Sequence, residues 1–74
     1  MKVLVKLFAN LRDNREKEQL MDLEEGMVPR DVIEKLGIPF EDVAIIMING
    51  KRKEADALLL QDDTVAIFPP VGGG

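Results

Sequence analysis

Thr64-Val65-Ala66-Ile67-Phe68-Pro69-Pro70-Val71-Gly72-Gly73-Gly74 closes the chain, and its reading sets how the rest must be arranged. Residues 64–68 are β-branched and aromatic and predict a strand. Pro69 and Pro70 each lack a backbone N–H and cannot continue a central strand, so regular structure is expected to stop at Phe68. The glycines bury no side chain and accept almost any backbone conformation. Residues 69–74 therefore read as a flexible tail with a free α-carboxylate on Gly74, and residues 1–68 as one domain. Fully extended, six residues span roughly 20 Å at about 3.3–3.6 Å each, enough to enter a partner's active site. A glycine end suits a narrow channel because no Cβ meets its walls.

Outward from that strand, alternation over residues 2–9 puts Val3, Val5 and Leu7 on one face, and Lys2 and Lys6 on the other. Asn10, Asp13 and Asn14 make residues 10–16 a loop anchored by Leu11, and residues 17–23 return as a second, antiparallel strand. Glu24-Glu25-Gly26 ends that strand. Pro29 suits a first helical turn, Val32, Ile33 and Leu36 form one apolar stripe, and Gly37 and Pro39 stop the helix. Its N-cap, Val28 or Met27, has no acceptor side chain, so the start is less well specified than the end.

The continuous apolar run over residues 43–48, closed by Asn49-Gly50, predicts a strand covered on both faces. Lys51-Arg52-Lys53 reads as a solvated edge, Leu58-Leu59-Leu60 as a segment tucked under the sheet, and Gln61-Asp62-Asp63 as a turn. The expected architecture is α+β, a mixed sheet with one main helix packed on one face. The last strand is expected to lie parallel to the first, since the intervening helix and strand make a long enough crossover.

Composition narrows the function. The 74 residues include no Cys, His, Ser, Tyr or Trp, and Thr64 carries the only hydroxyl. Nucleophilic and acid–base catalysis lean on those side chains, so the chain is expected to act as a substrate, carrier or non-catalytic subunit, not as an enzyme. A net charge of -4 argues against nucleic acid as a partner and favours a partner with a basic docking face. No apolar run approaches membrane-spanning length and no signal-type segment opens the chain, so the expected location is the cytoplasm. The acidic pairs Glu24-Glu25, Glu41-Asp42 and Asp62-Asp63 sit at predicted turns, and no metal site is expected from them.

Over essentially its whole length the chain resembles the small ubiquitin-like β-grasp sulfur carriers, most closely the small subunit of molybdopterin synthase. Phe8-Ala9-Asn10-Leu11-Arg12 is similar to the family's segment after the first strand, Leu36-Gly37-Ile38 to its helix end, and Asn49-Gly50-Lys51 to a later turn. Val65-Ala66-Ile67-Phe68-Pro69-Pro70-Val71 running into Gly73-Gly74 is the most specific element. Asp62-Asp63 departs from the family's usual Gly-Asp, so a different turn is expected there.

The resemblance implies that a ubiquitin-activating-type enzyme adenylates Gly74 with ATP and that sulfur from a donor converts it to a thiocarboxylate. The large synthase subunit then supplies the catalytic side chains for sulfur delivery to a pterin precursor of molybdopterin. No cofactor is held permanently, and ATP is consumed by the activating enzyme. Gly72 and Gly73 would thread the channel, Phe8, Phe68, Pro69 and Pro70 would form an apolar docking patch, and Arg12 would pair with a partner carboxylate. From the residues alone, core packing for the two phenylalanines and a solvated loop charge for Arg12 stay open. The rival functions are a thiamin-pathway sulfur carrier, a ubiquitin-like modifier joined to lysines through Gly74, and a plain interaction module.

Overall fold

The C-terminal strand is the middle of the sheet. In the computed structural model, described here for residues 1–70, β1 (Lys2–Leu7) and β2 (Glu18–Asp22) form an antiparallel hairpin with Val3 opposite Met21. Helix α1 (Pro29–Lys35), β3 (Ile45–Ile48) and the two-residue β4 (Lys51–Arg52) follow, and β5 (Thr64–Phe68) completes the order β2-β1-β5-β3-β4. As expected, β5 runs parallel to β1, with Val65 beside Val5 and Ile67 beside Leu7. Its other edge pairs antiparallel with β3. Val3, Val5, Leu7, Val65 and Ile67 share one buried cluster with Val32 and Ile33 of the helix, so the single helix covers one face of a mixed sheet.

That single cover corrects two expectations. Only alternate residues of β3 are buried, Ile46 and Ile48, while Ile45 and Met47 are half-buried on the face that no helix covers. Of Leu58-Leu59-Leu60, only Leu59 is buried, and Leu58 and Leu60 are 65% and 59% exposed. Neighbouring side chains in a non-helical segment point to different sides, so a triple leucine cannot tuck in together. β1 is also shorter than expected. It ends at Leu7, because Ala9 takes φ 53 and turns the chain into a 3-10 turn, Ala9–Arg12.

Both helix ends are specified. The Val28 N–H donates to Asp31 Oδ2 at 2.9 Å, so the start is held by a side chain reaching back from the first turn. At the other end, Gly37 N–H bonds the Glu34 carbonyl and Ile38 N–H the Ile33 carbonyl, a Schellman pair made possible by Gly37 at φ 73. Arg15 adds its guanidinium, with Nε at 3.3 Å from the Leu36 oxygen and Nη2 at 3.1 Å from that of Gly37.

The departure at Asp62-Asp63 does not remove a glycine-type turn. Asp62 adopts φ 71, the left-handed region that favours glycine. An L-residue there costs roughly 1–2 kcal/mol, somewhat less for aspartate, against glycine's greater unfolded-state entropy. Asp62→Gly is therefore expected to stabilise the fold by about 0.5 kcal/mol, raising the thermal midpoint by about 2–4 °C in a calorimetric scan. A fall in the midpoint would show that the Gln61–Asp62 side-chain contact of 3.0 Å outweighs backbone strain.

Asp63 is different in kind. Its carboxylate accepts from Asn49 Nδ2 at 2.8 Å and from the Leu60 N–H at 2.9 Å. Asn49, at φ 52 in the turn between β3 and β4, returns Oδ1 to the Thr64 N–H at 2.9 Å. The entry to β5 is thus clamped by side chains from two turns.

Candidate functional site

The topology gathers three strand ends at one rim. β1 and β5 are parallel, so both finish there, and β3 is antiparallel to β5, so it begins there. Backbone bonds carry the pairing past the strand ends, from Phe8 N–H to the Ile67 carbonyl at 3.2 Å and from Ala44 N–H to that of Phe68 at 2.8 Å. The chain leaves for Pro69 from the centre of the sheet, flanked on both sides.

Strand parity then places the aromatics. Leu7 and Ile67 point into the core, so Phe8 and Phe68 point to the uncovered face. There the rings stack, 4.3 Å between centroids and 11° from parallel. Both are half-buried and neither belongs to the core cluster. Offset aromatic pairs contribute about 0.5–1.5 kcal/mol beyond area burial, so the stack adds to the cohesion of this rim beside Pro69.

Arg12 is brought to the same place. Leu11 is buried and pins the 3-10 turn, and Arg12 Nε donates to the Leu7 carbonyl at 2.9 Å with its guanidinium carbon 5.4 Å from the Phe8 centroid. It is exposed yet fixed, and it forms no ion pair among the described residues. Pro69 is half-buried and Pro70 exposed immediately beyond Phe68. Gly72, Gly73 and Gly74 lie outside the described residues.

Two lysines that the sequence reading passed over belong to this rim. Lys6, Leu7, Phe8, Arg12, Lys17 and Glu18 line an open depression of about 210 Å³. Lys6 shares strand parity with Phe8 and could have been found from spacing alone. Lys17 could not, because it reaches the site through the hairpin register, its carbonyl accepting from the Leu7 N–H at 2.8 Å. The uncovered face beyond the stack continues with Leu4, Ala66, Ile45 and Met47, all half-buried, and with Leu20, which is exposed. Among the described residues no group of three or more His, Cys, Asp or Glu side chains is assembled as a metal site would need. No helix among them is long and apolar enough to cross a membrane.

The sequence profile of the ThiS family matches residues 5–74. The chain belongs to the ThiS family. Among solved structures, this ThiS-family chain is similar to a Pyrococcus furiosus protein assigned as molybdopterin converting factor subunit 1. Identity is 33%, covering 96% of this chain and 99% of that one, with a TM-score of 0.76. The solution structure of small archaeal modifier protein 1 from Methanosarcina acetivorans is 27% identical over 99% of this chain and 96% of its own, with a TM-score of 0.73.

Subunit 1 of the Helicobacter pylori molybdopterin-converting factor, solved in complex with subunit 2, represents the fold at 21% identity and TM-score 0.66, covering 100% of each chain. No curated protein matches. The ThiS-family chain thus has the ubiquitin-like β-grasp fold of the sulfur carriers and small modifiers, as the resemblance implied.

Proposed function

We propose that the protein is a sulfur carrier acting as the small subunit of a molybdopterin-synthase-like complex, with its chemistry on Gly74. The observation that carries this reading is a family match running to Gly74 on a chain whose central strand ends in the Phe8–Phe68 platform. The molybdopterin assignment draws on the Pyrococcus furiosus relative.

A C-terminal carboxylate has an ordinary pKa of about 3.3–3.7, is ionised at neutral pH and resists nucleophiles. An adenylating enzyme of the ubiquitin-activating type overcomes this by letting the Gly74 carboxylate attack the α-phosphorus of ATP, which expels pyrophosphate. Hydrosulfide released by the donor then adds to the acyl carbon and expels AMP, leaving the thiocarboxylate and a proton. This chain binds no cofactor of its own on this reading and is not the enzyme. It lacks the Cys, His and Ser side chains that either step would draw on. Phe8, Phe68, Pro69 and Pro70 form the apolar docking patch, Arg12 pairs with a partner carboxylate, and Gly72 and Gly73 thread the partner's channel.

The test is the intact mass of the chain after incubation with ATP, the adenylating enzyme of the same organism and a sulfur source. Replacement of one oxygen by sulfur is the expected result, and an unchanged mass with a demonstrably active enzyme would overturn the reading. The similarity to small archaeal modifier protein 1 favours a second reading, attachment through Gly74 to lysines of other proteins. The same spectrum separates the two, since conjugation gives larger adducts.

A further inference from the structure

We infer that the protein receiving the tail presents an acidic surface to the depression at the tail root, engaged by Lys6 and Lys17 together with Arg12 around the edge of Phe8. This rests on the carrier reading and names the chemistry of its partner's face. Net charge alone points the other way, because a chain at -4 is expected to meet a basic partner. The fold reverses the sign locally by collecting Lys6, Arg12 and Lys17 in one depression that holds a single acid, Glu18.

Glu18 forms no ion pair with them among the described residues, and one acid against three cations leaves the depression net positive. Glu18 stands opposite Lys6 in the hairpin register, yet the ion pairs among the described residues are those of Asp22 with Lys2 Nζ and with the Met1 amino group, both at 3.5 Å. Of the three cations only the Arg12 guanidinium is anchored directly, by Nε to the Leu7 carbonyl; Lys17 and Lys6 are brought to the depression by their backbones, Lys17 through its carbonyl's bond from the Leu7 N–H and Lys6 within β1. Carboxylates flanking an apolar contact complement this arrangement of positive rim and aromatic platform.

At about 0.15 M salt the Debye length is about 8 Å, so an approaching acidic surface is attracted by this patch only when correctly turned. The patch therefore serves orientation of the docking tail more than bulk affinity.

The experiment measures association rates of the full chain with two probes from the same organism, the large molybdopterin synthase subunit and the adenylating enzyme. The variants are Lys17→Glu, the double Lys6→Glu/Lys17→Glu, the neutral double Lys6→Gln/Lys17→Gln, and Lys35→Glu. The last makes the same charge change as Lys17→Glu, on the helix across the sheet. Thermal unfolding verifies that each variant is folded, and the neutral pair avoids placing a new acid opposite Glu18.

The expected result is a slowing of at least about ten-fold for the charge-reversed double at low salt, with an intermediate effect for the neutral pair. The ratio to wild type should close towards one at about 1 M salt, where the Debye length is about 3 Å. Lys35→Glu should change the rate less than about two-fold, as expected for a charge outside the contact. Unchanged or faster association of the doubles, or equal slowing by Lys35→Glu, would overturn the inference while leaving the carrier reading intact. If the wild-type chain binds neither probe, the carrier reading fails and this inference with it.

Discussion

Removal of Gly73 and Gly74 is expected to abolish sulfur loading while leaving the fold as stable as before. The truncated chain still ends in a carboxylate, on Gly72, so no functional group is lost. The same group is withdrawn by about 7 Å, two residues at about 3.3–3.6 Å each. Attack on the α-phosphorus of ATP needs the reacting atoms within about 3–3.5 Å, and a misplacement of even 1 Å can cost about 100-fold. Loading should therefore fall below detection in the intact-mass assay.

Stability should not follow. Glycines carry no side chain, and residues 1–70 already contain the sheet, the helix and the core cluster. The thermal midpoint is expected to move by less than about 4 °C, the equivalent of about 0.5 kcal/mol for a domain of this size. Loading of the truncated chain at a near wild-type rate would sink the proposal that Gly74 is the reacting terminus. Loss of loading together with gross unfolding would instead assign the tail a structural role.

Asp63→Asn is expected to be among the most damaging single-atom changes in the protein. Both carboxylate oxygens act as acceptors, one from Asn49 Nδ2 and one from the Leu60 N–H, and the residue is only 9% exposed. An amide keeps the shape but turns an NH2 group towards one of those donors. A hydrogen bond to a charged group is worth about 1.5–3 kcal/mol, and a part-buried donor left facing the new NH2 group adds to that loss. A loss of about 2–4 kcal/mol is expected, lowering the thermal midpoint by about 8–32 °C.

The clamp also has a consequence for function. Asn49 holds the Thr64 N–H, and four residues later the same strand presents Phe68 at the tail root. Asp63→Asn should therefore weaken partner association as well as stability, in denaturant titration and binding measured side by side. A variant that unfolds at the wild-type midpoint would show that Asn49 rotates its amide to accept the new donor, and that the clamp does not depend on charge.

Much of this was legible in the residues because local chemistry specified it. The alternation of β1, the Asn49-Gly50 turn, Gly37 at the helix end and the Pro69-Pro70 stop each depend on one or two backbone angles or a missing N–H. The expected parallel placement of β5 against β1 was also correct, since a crossover of that length leaves few other routes. The burial of β3 was misread because an apolar β-branched run looks the same whether one or both faces are covered. A count of helices decides that, and there is one main helix. Asp31 and Arg15 were missed as helix caps because the first bonds back across its own turn and the second arrives from a distant loop.

By itself, then, the sequence determined the order of the main strands and the helix, the parallel placement of the last strand beside the first and the absence of Cys, His and Ser chemistry. These follow from periodicity, backbone restriction and composition, which each residue carries wherever it sits. Only the tertiary structure decided that Phe8 and Phe68 stack outside the core, that Asp63 is a clamp and not a surface acid, and that Lys6, Arg12 and Lys17 make a positive patch on an acidic chain. Those facts depend on strand register and on which face the helix covers, and neither is a property of any one residue.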